Sequence, residues 1–235
     1  METVTDIRPA SAADAPALAQ VKQLTWPEEE IRLSQVENVL ADAAHEVYVA
    51  DVQGEVLGFV DGFATRAANR DLRWEIDLLA VHPDWRGRQL GQKMILACLK
   101  AGKERGAAFA RALIQVENRA SQISFERCGF MCQPALLELF TAPPKEGLFS
   151  PETAGGHLLL VNTINYFGLW LEEDQRESSL RAARAASWQH KCDFVGALVI
   201  QADLSDNEKM NELGFTKVGN YQWWTLPFEA NQGYS

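Results

Sequence analysis

A complete mixed α/β domain followed by a partial copy of its own back half is the architecture that this sequence predicts. Three observations carry that expectation. Apolar segments with a period of two alternate with segments of helical period through residues 5–141. The segment Val81-His82-Pro83-Asp84-Trp85-Arg86-Gly87-Arg88-Gln89-Leu90-Gly91 joins an apolar run, Ile76–Val81, to an amphipathic stretch from Leu90, which reads as strand, turn and helix. A shift of 85 residues lays Gly129-Phe130 on Gly214-Phe215 and Leu113-Ile114 on Leu198-Val199 without gaps.

The elements follow in order. Thr5–Arg8 reads as a short strand. Ser11 with Asp14 three residues later is a capping pattern, and Ala15, Leu18 and Val21 then recur at helical spacing as far as Trp26-Pro27. A second helix is expected over 28–41. Val47–Val52 and Glu55–Thr65 flank Gln53-Gly54 as a hairpin. Ala67–Leu72 is a loop and Arg73–Val81 a strand. Leu90, Met94, Cys98 and Ala101 share one face of a helix ending near Gly106. Ala110–Val116 is a strand, and 120–127 a short helix stopped by Gly129. Met131–Thr141 makes a final strand pair. The sequence therefore divides into a domain at 1–142, a turn-rich linker at 143–156 and the partial repeat at 157–235, whose opening hairpin is absent. In the ungapped shift, Arg86–Gly91 fall on Leu171-Glu172-Glu173-Asp174-Gln175-Arg176, whose carboxylates repel phosphate, so one anion site per chain is expected.

Composition sets bounds on function. Of 235 residues, 47% are hydrophobic and 23% charged, an ordinary globular balance. The net charge of -10 argues against nucleic-acid and anionic-membrane partners. No apolar run reaches the roughly 18 residues of a membrane span, and no basic-then-apolar leader opens the chain. Cys98, Cys128, Cys132 and Cys192 lack zinc-site spacing and histidine neighbours, so they read as reduced packing residues, with no metal site. A cytoplasmic location is the expectation.

The turn at 81–91 carries the chemistry. It aims several backbone N–H groups at one point, the helix N-terminus adds partial positive charge, and the arginines add full charge. That is a receptor for a phosphate or pyrophosphate.

These residues resemble the GCN5-related N-acetyltransferase (GNAT) family. Its pattern, Gln/Arg-x-x-Gly-x-Gly/Ala after a strand and opening a helix, stands here as Arg86-Gly87-Arg88-Gln89-Leu90-Gly91. The lead-in Leu79-Ala80-Val81-His82-Pro83 and the later Asn118 and Phe125-Glu126-Arg127-Cys128-Gly129-Phe130 complete the likeness over residues 5 to 142. The resemblance implies the GNAT acyl-CoA N-acyltransferase fold, a mixed, largely antiparallel sheet flanked by helices. It implies acetyl-CoA as cosubstrate, with the backbone of Arg86, Gly87, Arg88, Gln89, Leu90, Gly91 and Gln92 on the pyrophosphate. The edge of Leu79, Ala80 and Val81 would pair with the pantetheine arm, and Asn118, Ser121 and Phe125 would complete the groove. Gln89 replaces the usual second glycine, which a helical backbone there would tolerate. Phe125 stands where many members have tyrosine, and a phenyl ring donates no proton.

Acetyl transfer to a primary amine needs a base. Glu75 and Asp77 are two apart on one strand and share a face. Glu75 lies eleven residues before Arg86, the spacing of the general base in the histone-acetyltransferase branch of the family, so Glu75 is the first candidate and Asp77 the second. The alternative for each is that it only pairs with an arginine or faces solvent. The acceptor pocket is expected from the first two helices and the loop 67–72, with Trp26, Trp74 and the second half contributing. His82 reads as structural, Trp223-Trp224 as a core or interface strand, and 172–177 as a charged helix start. The rival function is a non-catalytic acyl-CoA-binding or assembly protein, with the copy as an interaction surface that supplies strands to a homodimer.

Overall fold

The computed structural model describes residues 5–147, 156–200 and 204–228, so most of the expected linker lies outside the described residues. The chain runs β1 (Thr5–Pro9), α1 (Ala15–Thr25), α2 (Leu33–Ala41), β2 (His45–Val52), β3 (Glu55–Arg66), β4 (Leu72–Val81), α3 (Leu90–Glu104), β5 (Phe109–Gln115), α4 (Arg119–Arg127), β6 (Met131–Cys132) and β7 (Leu137–Ala142). It continues with β8 (His157–Asn162), β9 (Phe167–Glu172), α5 (Glu177–Gln189), β10 (Phe194–Ile200), α6 (Leu204–Glu212) and β11 (Thr216–Pro227). All the strands join one mixed, mostly antiparallel sheet in the order β1-β2-β3-β4-β5-β11-β7-β10-β9-β8, with β6 beside β11.

Local chemistry explains the elements. Asp14 accepts from the backbone N–H of Ser11 at 2.7 Å and so caps the turn that opens α1. The same carboxylate takes both ends of the Arg8 guanidinium, which also reaches Asp51 on β2. The second helix starts at Leu33, not at residue 28. Lys22 is the reason: buried on α1, it holds the Glu29 carboxylate and donates to the Glu30 carbonyl, fixing that stretch outside a helix.

Two layers pack on the first half of the sheet. On one face α3 buries Met94, Ile95 and Cys98 against Trp74 and Ile76 of β4. Gly62 and Gly102 make room for the indole, since a Cβ on them would lie 2.8 Å and 2.5 Å from it. On the other face α1 and α2 bury Leu18, Val21, Val36 and Val39 against Val49, Phe59 and Ala80. In the second half, Leu180, Ala183 and Ala186 of α5 pack on Leu169, Leu171, Val195 and Ala197.

The repeat is real but its strands are exchanged. β10 and α6 stand 85 residues after β5 and α4, and β11 contains the equivalent of β7. Yet β5 pairs with β11, β10 pairs with β7, and β7 and β11 pair with each other. Each half thus completes its sheet with the other's last strand. β6 and β7 consequently do not pair with each other as the sequence predicts, because β11 lies between β7 and β5.

The pairing registers also correct the alignment of the copy. Arg73 of β4 faces Phe109, and Gly168 of β9 faces Phe194, the equivalent of Phe109. Gly168 therefore stands for Arg73, a shift of 95 rather than 85. Residues 82–89 join β4 to α3, whereas only 173–176 join β9 to α5. The copy has lost the length of the phosphate loop; Leu171 and Glu172 are strand residues, not counterparts of the loop and not a helix start.

Candidate active site

The strand β4 contributes to two sites. Its pairing with β3 jumps from Phe59–Ala80 to Asp61–Asp77, an extra residue on β4. Leu78 takes a left-handed backbone there, with φ of 53°. A bulge of this kind re-aims the side chains that follow it. Trp74 and Ile76 pack on the α3 side before it; after it Leu79 and Val81 pack on that side, while Leu78 and Ala80 turn to α1 and α2. β4 is also paired with β5 only over Arg73–Glu75, so the two strands diverge beyond Glu75 and leave the edge of β4 without a β5 partner.

A groove of about 450 Å³ occupies that divergence. Leu79, Val81, Arg86, Gly87, Gln89, Leu90, Gly91, Gln92, Asn118 and Ser121 line it. The loop is shaped for an anion. Gly87 has φ of 76° and Gln89 φ of 62°, so left-handed residues flank Arg88 and the backbone amides curl into a nest at the start of α3. Gln89 is thus left-handed and not helical as expected, the conformation a glycine adopts without strain. A Cβ on Gly91 would lie 3.4 Å from Leu79, so the helix start sits close against β4. His82 accepts from the Asp84 N–H at 3.2 Å and Arg86 donates to the Val81 carbonyl at 3.4 Å, which closes the turn. These residues fit a pyrophosphate-bearing substrate.

Of the expected contacts the Phe125 ring lies elsewhere, while Ala80 and Arg88, expected to act through their backbones, turn their side chains away from the groove. Ala80 is buried under α1 and α2, so only its backbone reaches the strand edge. Arg88 stacks on Trp85, 4.3 Å from the ring centre. Phe125 is in the core, edge-to-face with Phe130 at 4.9 Å. Helical geometry explains the last: Ser121 and Ser124 share the groove face at a spacing of three, and Phe125 is a further 100° round the helix. Asn118 caps α4 by accepting from the Ser121 N–H at 3.1 Å. Ser124, Thr25, Trp26 and Arg127 also line the groove; of these only Ser124 carried a sequence signal, its spacing from Ser121.

On the opposite side of β4 lies a cleft of about 550 Å³ between the two halves. Glu75 and Asp77 both line it, as do Tyr166, Trp170 and Glu172 from the second half. Neither the loop 67–71 nor Trp74, which is wholly buried, lines it, and Trp26 belongs to the groove instead. Glu75 is tied down. It takes Nε of Arg111 on both oxygens, at 2.9 and 2.8 Å, and the Thr65 hydroxyl at 2.5 Å. Glu172 closes the network across the halves, taking Arg111 at 2.6 Å and Arg73 at 3.0 Å. Burial works against the Glu172 carboxylate, but these two arginines more than offset it and hold its pKa below the usual value.

Asp77 is different. It is half-buried with its Oδ2 shielded from solvent, and among the described residues that oxygen finds no hydrogen-bond partner. Burial first, then the charges of Asp61 and Glu75, push its pKa up to about 7 against the pull of the Leu78 N–H. Asp61 stands directly opposite on β3, buried, and receives a 2.8 Å bond from His45 Nδ1. Burial raises Asp61, while for His45 the bond and charge of Asp61 outweigh burial and raise the imidazole.

Three of the cysteines are packing residues: Cys98, Cys128 and Cys192 are buried, and burial pushes the thiols of Cys98 and Cys128 up to about 12 and about 11, whereas Cys132, expected to pack as well, is exposed. No helix among the described residues is long and apolar enough to cross a membrane.

Comparison with known proteins agrees with this geometry. Residues 15–130 match the acetyltransferase (GNAT) family. The chain is 28% identical over 134 residues to an aminoglycoside N(6')-acetyltransferase type 1 of Stenotrophomonas maltophilia, covering 53% of this chain and 84% of that protein. A tandem GNAT protein from the clavulanic acid biosynthesis pathway superposes with a TM-score of 0.61 over 95% of this chain and 98% of its own, at 11% identity. The glucosamine N-acetyltransferase region of a fungal multi-domain β-N-acetylglucosaminidase gives 0.62 over 96% of this chain, also at 11% identity; this chain spans 38% of that protein's length. Identities this low speak for the fold alone, and they cover both halves.

Proposed function

Taking as premise that this chain belongs to the acetyltransferase (GNAT) family, acyltransferases that use acetyl-CoA, we propose that it transfers acetyl from acetyl-CoA to a primary amine in the cleft between its halves, with Asp77 as general base. The observation that carries this reading is the Asp77 carboxyl, which lines the cleft with one shielded, unpartnered oxygen at the bulge two residues before Leu79 of the groove. In the groove, the loop from Arg86 to Gln92 holds the pyrophosphate and the free edge of β4 orients the arm of acetyl-CoA, with Thr25, Ser121 and Ser124 supplying hydroxyls. Asp77 removes a proton from the amine as it attacks the thioester carbonyl; the C–S bond then breaks, and CoA leaves as a thiolate that takes its proton from water. A base with a pKa near 7 has a substantial ionised fraction at neutral pH and is still basic enough to take the proton.

This inverts the order of the sequence expectation, in which Glu75 came first. Both oxygens of Glu75 are taken by Arg111, and one also by Thr65, so its work is to brace the cleft. The division at residues 143–156 is part of the proposal in one sense only: both sides of it wall a single active site. The test is CoA release across an amine panel. Asp77→Asn should lower kcat by 100-fold or more, the range for a lost general base, while acetyl-CoA still raises the melting temperature. Undiminished kcat in Asp77→Asn would return the role to another group.

A further inference from the structure

Resting on the reading of the cleft as acceptor site, we infer that its substrate is a primary amine with an apolar, preferably aromatic body, and not an amino sugar. The charges of the cleft set the first half of this. Among the described residues its basic side chains are Arg73 and Arg111, both spent on Glu75 and Glu172. Asp77 and Glu173 also line it, and among the described residues neither forms an ion pair. The remaining charge is therefore negative, and an ammonium group is its complement. The rest of the wall sets the second half. Leu137, Leu139, Leu159, Val161, Trp170 and Trp223 face the same space. Ile200, 71% exposed, stands at its margin, so an apolar surface continues outward from the wall.

An amino sugar brings a hydroxyl on nearly every carbon. Against these side chains the hydroxyls would lose water and depend for partners on the neutral polar groups of the lining, Gln133, Tyr166, Gln175 and Tyr221, which an otherwise apolar wall disfavours. A phenyl or alkyl body needs no such partners, and the Trp170 indole offers a surface for ring packing, while the Arg111 guanidinium lies 4.0 Å from the centre of the Trp223 ring. Four of these six side chains come from the second half of the chain, Leu159, Val161, Trp170 and Trp223. The shortened copy thus has a use that needs no second cofactor: it shapes specificity.

The experiment compares 2-phenylethylamine with glucosamine and kanamycin as acceptors, by CoA release, on the full chain and on Leu159→Asp. Calorimetric binding of 2-phenylethylamine is measured beside it, and the acetyl-CoA-induced rise in melting temperature checks that the variant folds. The expected result is a kcat/KM for 2-phenylethylamine at least tenfold above either sugar, falling at least tenfold in Leu159→Asp through KM. Equal or faster acetylation of the sugars overturns the inference and leaves the acetyltransferase reading standing. Binding of 2-phenylethylamine that Leu159→Asp abolishes, with no CoA released from any amine, keeps the apolar-amine site and retires the acetyl-transfer reading. Absence of 2-phenylethylamine binding to the native chain overturns the inference. Trp170→Ala gives the same comparison if Leu159→Asp does not fold.

Discussion

At the scale of single residues, Asp77 puts activity and stability in opposition. Its folded-state pKa lies near 7, above the ordinary 3.8, so folding favours the protonated form. Its contribution is fully present below the unfolded value and is lost as pH rises through about 7; by pH 8 the shift is worth roughly 4 kcal/mol. Asp77→Asn should therefore raise the melting temperature at pH 8 and leave it nearly unchanged at pH 4. An equal change at both would mean that the native carboxylate is ionised throughout. The catalytic role requires the other form, so kcat/KM should climb with pH to a plateau, with a midpoint near 7. His45 lowers the Asp77 value through its charge. His45→Asn should accordingly move the midpoint upward, and a midpoint that stays put would sever that link. Glu75→Gln is a different lesion. It leaves Arg111 short of one partner in a buried network, and the expected loss is about 3 kcal/mol or more of stability in denaturant unfolding.

At the scale of elements, the strand–loop–helix from Ile76 to Glu104 was legible because its signals are local. Period-two and period-3.6 patterns meet at a turn, and arginines and glycines at fixed offsets form the anion receptor. Arg86→Glu should abolish the acetyl-CoA-induced rise in melting temperature, since it places a carboxylate in the groove; a retained rise would remove the loop from the binding site. Gln89→Gly should stabilise by a few tenths to 1 kcal/mol, because φ of 62° suits glycine. Two features of the same element escaped the sequence. The bulge at Leu78 has no residue that announces it: a leucine in left-handed conformation is held there by the pairing of β4 with β3 before and after it. The fate of Phe125 is geometric in the same way. Likeness to a motif placed it in the groove, while the rotation of α4 set by Ser121 and Ser124 put it in the core.

At the scale of the whole molecule, the exchange of β7 and β11 was hidden for a simple reason. The alternation of residues 216–227 says that they form a strand and says nothing about which neighbour they take. An ungapped shift likewise found the repeat but could not reveal that the copy is ten residues shorter between its paired strands, four of them in the loop, which only strand register exposes. Because β5 is completed by β11, residues 1–142 alone should fail to give a soluble, cooperatively unfolding species, whereas the full chain should unfold in one transition by calorimetry. A stable 1–142 fragment with its own acetyl-CoA response would show that β7 can return to the side of β5. The ion pairs of Arg73 and Arg111 with Glu172, and of Arg32 with Asp193 at 2.7 and 3.0 Å, bind the halves along the same seam.

The exchange also bears on timing at the ribosome. The strand that closes the first half is the last one in the described chain to be synthesised. Until it emerges, the edge of β5 beside the nascent cofactor groove has nothing to pair with, and an open edge invites association with other chains. The catalytic half therefore cannot mature in the order in which it is made. A ribosome that stopped before residue 216 would release a chain with every residue of the proposed acetyl-transfer machinery and no finished sheet to hold it.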